Sequence, residues 1–393
     1  MNLRICRLLA ITAFVVSCIL GSAPSLAQNA YITNNGPGIT GGTVSVINTK
    51  KNRVIATING FIQPTGVAVS PDGKRVYITN QLLDPSTNST VSVIDTDRNK
   101  VIAAIPVGNA PFGVAVSPNN RRAYVSNAGS DSVSVIKTAT NAVIATITVG
   151  IGPTGVAVSP DSRRLYVAIN ENGLMPGAVV VIDTATNAVT ATIPVQLEPL
   201  GIAVAPDGDS VYVTNSSFGT VSVISTKTNT VVATIRVGAG PGGVAVTPDG
   251  RKVYVTNAFS DTVSVIKAAT NTVIATIRVP SPAGAPAGLS VTPDGRKVYV
   301  ANAFSDTVSV IDTETNKVTD TIPVGVNPQA FGLFIQPGEK EPRFAGMPGK
   351  ANCYGQSVAT LVRQFPGLQA AAAALEFSSI EKLQDAISEF CEA

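Results

Sequence analysis

The sequence contains no histidine and no tryptophan, and it has only four cysteines among 393 residues. Without histidine there is no Ser-His-Asp triad, no imidazole general base and no histidine-ligated metal or haem. Charged residues make up only 13% of the chain, and 28 Lys and Arg nearly balance 25 Asp and Glu. Such a balance does not indicate a nucleic-acid-binding protein. These absences favour a binding role over catalysis.

The apolar run near the N-terminus is too short to cross a membrane. It covers residues 8–20 after Arg4 and Arg7, and small residues precede a cleavage site after Ala27. This pattern is typical of a signal peptide. A lipoprotein signal ending at Cys18 is the alternative, but apolar residues follow that cysteine. We therefore expect export to the periplasm or the cell exterior, and no transmembrane segment in the mature chain.

One stretch, GVAVTPDGRKVYVTN at residues 243–257, recurs along the chain. It predicts two short strands joined by a Pro-Asp-Gly turn. Each repeat holds four apolar runs separated by turn residues, which is the pattern of a four-stranded propeller blade. The period is 42 to 47 residues, as the anchor tyrosines show: Tyr31, Tyr77, Tyr124, Tyr166, Tyr212, Tyr254 and Tyr299.

The two ends of the repeat region complement each other. Tyr31 has no inner strand before it, and the inner strand that begins at Gly332 has no tyrosine strand after it. Pairing residues 332–336 with residues 31–34 would complete one blade and leave no open edge. The sequence therefore predicts an all-β, seven-bladed β-propeller closed by its N- and C-terminal strands.

The repeated motifs resemble those of YVTN-repeat β-propellers of the YncE-like type. They read YITN at Tyr77, YVSN at Tyr124, and YVTN at Tyr212 and Tyr254. The resemblance covers residues 31–337, and the fourth repeat departs from it, with YVAI at Tyr166. It implies a secreted bacterial or archaeal propeller, and it implies no particular mechanism.

The composition changes after the last repeat, and four segments are predicted. They are a signal peptide (1–27), the propeller (28–338), a charged linker (339–349) and a short helical tail (350–393). The tail has helical spacing of apolar residues and two cysteines, Cys353 and Cys391. In an oxidising compartment we expect these cysteines to form a disulfide.

Loop lengths predict that the ring has two different faces. The inner-strand glycine lies 11 positions before the anchor tyrosine in every complete repeat, so those turns are uniform. The connections at the other end of the strands vary from 6 to 11 positions. We call these the fixed-turn face and the variable-loop face. Variable loops on a rigid scaffold commonly carry binding sites. The variable-loop face is predicted to carry acidic residues and no Lys or Arg.

Two sets of side chains on the variable-loop face are candidate ligand-binding residues. Its carboxylates could hold Ca²⁺ or Mg²⁺, although residues repeated once per blade are more simply explained as turn residues. Its phenylalanines could form a contact surface or pack between blades. The two sets are Asp84, Asp131, Glu171, Glu198, Asp261 and Asp306, and Phe112, Phe218, Phe259 and Phe304, with Phe61 and Phe331 in the same class.

No catalytic residue, metal ligand or cofactor site is predicted beyond that acidic set. The leading hypothesis is an exported, monomeric binding or scaffold module that acts through the variable-loop face and is not an enzyme. Its partner would be a protein or a cell-envelope polymer, and not a specific nucleic acid. The alternative is a divalent-metal-assisted propeller enzyme of the lactonase or lyase type.

Overall fold

The computed structural model describes residues 28–38, 41–81, 89–171, 175–279 and 285–337, together with Leu383, Gln384 and Ile387. The chain divides into two compact units, residues 1–337 and 338–393. In the first unit the described strands form seven antiparallel sheets, one per repeat, which confirms the predicted seven-bladed all-β propeller. No helix in the described part of the chain is long and apolar enough to cross a membrane.

The first four blades contain fifteen of the strands. Blade 1 contains β1 (Asn29–Asn34), β2 (Gly42–Asn48) and β3 (Arg53–Phe61). Blade 2 contains β4 (Pro64–Val69), β5 (Arg75–Asn80), β6 (Thr90–Asp95) and β7 (Lys100–Pro106). Blade 3 contains β8 (Pro111–Val116), β9 (Arg122–Asn127), β10 (Ser132–Lys137) and β11 (Ala142–Thr148). Blade 4 contains β12 (Pro153–Val158), β13 (Arg164–Ile169), β14 (Ala178–Asp183) and β15 (Ala188–Pro194).

The last three blades repeat the same order of strands. Blade 5 contains β16 (Pro199–Val204), β17 (Ser210–Asn215), β18 (Thr220–Ser225) and β19 (Thr230–Arg236), with a 3-10 turn at Ser216–Phe218. Blade 6 contains β20 (Pro241–Val246), β21 (Lys252–Asn257), β22 (Thr262–Lys267) and β23 (Thr272–Arg278). Blade 7 contains β24 (Pro286–Val291), β25 (Lys297–Asn302), β26 (Thr307–Asp312) and β27 (Lys317–Pro323).

The two middle strands of each blade are buried on both faces, because each blade packs between two neighbours. Tyr124 of blade 3, for example, shares a core cluster with Leu165 and Val167 of blade 4. The outer strands are exposed at most positions, as in β11 and β19, which each have one half-buried and one buried residue. The outer strands are therefore much less buried than the middle strands, although sequences such as AVIATIT in β11 and TVVATIR in β19 are largely apolar.

The C-terminal segment of the ring, residues 328–336, closes blade 1 beside β1. The Tyr31 amide donates to the Phe334 carbonyl at 2.9 Å, and Ala30 and Ile335 form an antiparallel bridge. The segment is less regular than the other inner strands, because the Val67 and Val69 amides of blade 2 also donate to its carbonyls. The closing segment therefore joins blade 1 to blade 2, and the predicted closure is confirmed.

The YVTN motif divides its bonds between two blades. The Thr256 hydroxyl of blade 6 accepts from the Gly243 amide at 2.7 Å and donates to the Ala287 carbonyl of blade 7 at 2.6 Å. The Tyr254 hydroxyl donates to Asn316 Oδ1 of blade 7 at 3.1 Å. Asn257 instead donates within its own blade, to hydroxyls on β22. Tyrosine and threonine thus fasten neighbouring blades, while asparagine braces one blade.

The fixed turns hold their shape through short local hydrogen bonds. In blade 6 the Asp249 carboxylate accepts from the Thr247 hydroxyl at 2.5 Å and from the Arg251 amide at 3.0 Å. Gly250 has a φ of 71°, which glycine adopts without steric cost. These hydrogen bonds lower the pKa of Asp249 below its usual value, the Thr247 hydroxyl contributing most.

Several fixed turns end in two adjacent basic residues, and the second of them contacts the next blade. The sequence alone did not predict this contact. At five of the seven junctions this second residue donates to a turn carbonyl of the following blade, and in blade 4 Arg164 reaches the Thr226 carbonyl at 2.7 Å. We call these contacts the cation latches. The five latch residues are Arg75, Arg122, Arg164, Lys252 and Lys297.

Several sequence predictions fall on residues that the structure does not describe. These are the signal peptide, the linker and the Cys353–Cys391 disulfide. Most of the predicted helical tail also lies there. Within it, the described residues Leu383, Gln384 and Ile387 have helical backbone geometry, and Leu383 and Ile387 are buried. The tail remains an expectation from the sequence.

Candidate functional site

Three of the candidate carboxylates act as turn residues in their own blades. Asp131, Asp261 and Asp306 have left-handed backbones, with φ of 50°, 51° and 54°. Each carboxylate accepts a hydrogen bond from a backbone amide in the link to the next blade. The donors are Gly152 at 3.0 Å, Ala285 at 3.1 Å and Asn327 at 2.8 Å, respectively. The simpler explanation offered by the sequence therefore accounts for their positions.

The remaining carboxylates lie on other blades. Glu171 is the second residue after β13 and has a φ of 52°. Glu198 lies just before β16, and its Oε2 accepts from the Ser217 hydroxyl at 2.5 Å. Asp84 lies outside the described residues. Within the described ranges, no three Asp, Glu or Cys side chains come together as a metal site would require.

Phe112 and Phe331 lie at the centre of the ring and not in the surface loops. Phe112 is the second residue of β8, because that strand already begins at Pro111. The centroids of the two rings are 5.3 Å apart. They line a narrow apolar cavity of about 50 Å³ together with glycines and aliphatic residues of the inner strands. The predicted location of Phe112 in a loop was therefore wrong.

Three other phenylalanines are exposed on the variable-loop face of three successive blades. Phe218 in blade 5 is 51% exposed, Phe259 in blade 6 is 84% exposed, and Phe304 in blade 7 is 74% exposed. Phe61, in contrast, is fully buried at the end of β3. The structure therefore separates the predicted aromatic set into a surface group and a packed group.

A cleft of about 470 Å³ lies between blades 5 and 6 on this face. It brings together three residues selected from the sequence, Glu198, Phe218 and Phe259. We call it the blade 5–6 cleft. Its lining is completed by Ser216, Ser217, Gly219, Arg236, Val237, Gly238, Ala239 and Gly240.

The sequence of the link between blades 5 and 6 explains why a cleft forms there. The link contains Gly238, Ala239 and Gly240, which leave little side-chain volume over the backbone. A Cβ on Gly240 would lie 2.6 Å from the Phe259 ring, and Gly240 also has a φ of 64°. A Cβ on Gly238 would lie 2.7 Å from Asn257. Packing therefore requires these glycines, and the space above them remains open.

Arg236 corrects the prediction that the variable-loop face carries no Lys or Arg. It is the last residue of β19, and it lines the blade 5–6 cleft. Arg278 ends β23 at the equivalent position of blade 6. Both residues end outer strands, and the outer strands end at this face. Comparing strand ends would have revealed them, because Pro106, Thr148, Pro194 and Pro323 stand at the equivalent positions.

The cation latch is missing on the fixed-turn side of the same junction. Ser210 of blade 5 stands where the latch residues stand in five other blades. The Oδ1 of Asn271, the equivalent of an acceptor used by Arg75 and Arg122, is buried and has no partner among the described residues. The junction between blades 5 and 6 is therefore less fastened on one face and open on the other.

Comparisons with known proteins support the propeller architecture. Residues 187–282 and 251–337 match the family model described as YNCE-like beta-propeller. No curated protein matches the chain.

Three solved structures that resemble the chain come from different kinds of protein. Hydrazine synthase of Kuenenia stuttgartiensis has a TM-score of 0.63 and 23% identity over 75% of this chain and 99% of that chain. A periplasmic gluconolactonase of Pseudomonas aeruginosa has a TM-score of 0.63 and 19% identity over 77% and 97%. Dihydro-heme d1 dehydrogenase NirN has a TM-score of 0.57 and 17% identity over 77% and 75%. At these identities the likeness concerns the fold alone.

Proposed function

We propose that this chain is an exported propeller of the YncE-like type that binds a partner through its variable-loop face and is not itself an enzyme. The observation that carries the proposal is the blade 5–6 cleft, with its exposed rings of Phe218 and Phe259. Exposed aromatic side chains around a concave surface are a common feature of binding sites. Three of the carboxylates on the same face are occupied by backbone amides.

Capture of a partner from the native cell envelope tests this proposal. Full-length protein and the Phe259→Ala and Phe218→Ala variants would be used as baits, and retained proteins would be compared by mass spectrometry. Ile274→Ala is the matched control, because Ile274 is an exposed apolar residue of the outer strand β23. We expect both phenylalanine variants to lose the partner while the control retains it. Retention by all variants would contradict the proposed site.

Export is a separate part of the proposal. The N-terminal pattern supports it, and in an oxidising compartment Cys353 and Cys391 would form a disulfide. Mass spectrometry of the protein from its native host would give the mature N-terminus and the redox state of both cysteines. We expect a mature chain that begins at Gln28 and carries one disulfide. A chain retained in the cytoplasm with free thiols would contradict export.

A metal-assisted enzyme of the lactonase or lyase type is the second candidate. It is favoured by the propeller likeness to a periplasmic gluconolactonase, which shows that this architecture can carry such an activity. It would need a divalent ion held by some of the acidic residues, for example Glu171 and Glu198. Calorimetric titration with Ca²⁺ and Mg²⁺, followed by an assay of lactone hydrolysis, separates the two candidates. Bound metal together with turnover would favour the enzyme over the binding module.

A further inference from the structure

Two arginines and two phenylalanines recur together on the variable-loop face. Arg236 ends the outer strand of blade 5, and Phe259 is the second residue after the buried asparagine of blade 6. Arg278 ends the outer strand of blade 6, and Phe304 is the second residue after the buried asparagine of blade 7. Arg236 and Phe259 line one cleft. The next junction repeats the same pair of residue types at the same positions.

The two arginines carry charges that the described residues leave unpaired. Neither guanidinium forms an ion pair, and neither donates a side-chain hydrogen bond, within the described ranges. Asp261 and Asp306, on the same blades and face as these pairs, already accept from backbone amides. An unpaired guanidinium has five donors arranged for a planar acceptor such as a carboxylate.

Phe259 and Phe304 are the most exposed of the large apolar side chains in the described part of the chain. Arginine and large aromatic residues are enriched among the residues that dominate protein interfaces, and burying an exposed phenylalanine against a partner is favourable. The phenylalanines are distributed over three blades, and the cleft between two of them is open to solvent. A small molecule would cover only part of this surface, whereas an extended chain could follow it.

We propose that the blade 5–6 cleft binds an extended acidic peptide segment of a partner protein, with an apolar side chain against Phe218 and Phe259 and a carboxylate paired with Arg236. Arg278 and Phe304 extend the same surface toward blade 7. This inference rests on the proposed binding function and adds the chemistry of the partner. Glu198 also lines the cleft, and its charge would disfavour a second carboxylate nearby, so that one acidic group beside one apolar group is the expected pattern.

Selection from a random heptapeptide pool tests the proposal directly. Full-length protein would be the bait, and each enriched peptide would be synthesised and its affinity measured by fluorescence anisotropy. We expect enriched peptides to place Asp or Glu beside an aromatic or branched aliphatic residue. Peptides with free and amidated C-termini distinguish a terminal carboxylate from a side-chain carboxylate. Failure to enrich any peptide, or enrichment of neutral or basic peptides, would overturn the proposal.

Variants identify the residues that recognise each part of the peptide. We expect Arg236→Glu and Phe259→Ala each to weaken binding at least about tenfold, which is the loss of one well-formed interface contact. Arg121→Glu is the matched charge control, because Arg121 is an exposed residue of the fixed-turn face. A peptide with Lys in place of its acid should bind Arg236→Glu better than it binds the wild-type protein. Near-UV circular dichroism would confirm that the variants are folded.

The proposed binding face and the proposed acidic partner can be tested separately. Binding that depends on Phe259 and is unaffected by Arg236→Glu would leave the proposed binding face intact and overturn the acidic partner. Binding that depends on neither residue would overturn the blade 5–6 cleft itself. Binding that depends on both residues and weakens as salt is raised from about 50 to 500 mM supports both layers.

Discussion

The junction between blades 3 and 4 and the junction between blades 5 and 6 solve the same packing problem differently. At the first, Arg122 donates to the Thr184 carbonyl and to Asn187 Oδ1 of the next blade. At the second, Ser210 is too short to act in the same way, and Asn271 Oδ1 has no partner among the described residues. The less fastened junction is also the one with the 470 Å³ cleft on its opposite face.

Among the described residues, two of the seven junctions lack a cation latch. At the junction between blades 1 and 2 the closing segment joins the blades, because the Val67 and Val69 amides donate to its carbonyls. In a ring of repeats each blade contacts its two neighbours. Equivalent contacts at every junction are therefore expected from stability alone. The missing latch between blades 5 and 6 requires another explanation, and the cleft with Phe218 and Phe259 supplies one. Residues 198–260 combine a missing latch, a link of small residues and exposed aromatic rings. In a repeat protein, departures from the repeat indicate function more clearly than the repeat does.

Removing a latch at a well-fastened junction should have the largest effect. We expect Arg122→Ala to lower the free energy of unfolding by about 1.5–3 kcal/mol, because hydrogen bonds from a charged donor are lost and their acceptors stay part-buried. Urea denaturation would measure the change. Arg121→Ala in the same turn is the control and should change stability by less than about 0.5 kcal/mol. Equal losses in both variants would show that the latch contributes nothing.

Adding the missing latch should make the two junctions alike. We expect Ser210→Arg to raise the free energy of unfolding by about 1 kcal/mol, since its guanidinium could donate to Asn271 Oδ1 and the Ala268 carbonyl. Ser210→Ala is the control for loss of the serine hydroxyl. Thermal unfolding of the three proteins would give the order. A destabilised Ser210→Arg variant would mean that this junction differs in geometry as well as in composition.

A smaller deficit lies within blade 6. Thr138, Thr184 and Thr313 each donate a hydroxyl hydrogen bond to the preceding fixed turn, and Ala268 stands at the equivalent position. We expect Ala268→Thr to stabilise the protein by about 0.5–1 kcal/mol through a bond to the Gly250 carbonyl. Ala268→Ser tests whether the hydroxyl alone is sufficient. Loss of stability in both variants would exclude this explanation of the repeat.

The acid dependence of stability should be modest and shared by several turns. Hydroxyl and amide hydrogen bonds lower the pKa values of Asp161 and Asp249 in the folded state. The stabilisation they give is therefore present above the unfolded-state pKa of about 3.9 and is lost as pH falls through the folded-state values. Denaturation at pH 7 and pH 3 should show a smaller loss for Asp249→Asn than for wild type. An identical pH dependence would contradict this role for Asp249.

The ring itself could be read from the sequence because each repeat repeats the same local chemistry. Seven tyrosines at one period predicted the blades, and the unmatched ends at Tyr31 and Gly332 predicted the closure. The cation latches could not be read in this way. Arg75 donates to the Thr138 carbonyl, 63 residues later, and nothing in the local sequence around Arg75 indicates so distant a partner.

The cleft was only partly predictable for a related reason. The sequence predicts three of the cleft residues, Glu198, Phe218 and Phe259, because they lie in variable loops. It gives no reason to prefer them to other loop candidates such as Asp131 and Phe112. Only the packing distinguishes them, because the Asp131 carboxylate accepts from a backbone amide and Phe112 lies at the centre of the ring beside Phe331. Arg236 is absent from the predicted set because that set was drawn from the loops, and Arg236 is the last residue of a strand.

Photo-crosslinking from position 259 tests most directly whether the variable-loop face is the binding face. Phe259 would be replaced by benzoylphenylalanine, which keeps an aromatic ring at this exposed position, and Arg121 on the fixed-turn face would be replaced in a second protein as the control. On illumination in the native cell envelope, we predict a specific crosslinked partner from position 259 that excess selected acidic peptide displaces, and none from position 121. Crosslinks of equal yield from both faces, or from position 121 alone, would contradict the proposed binding face.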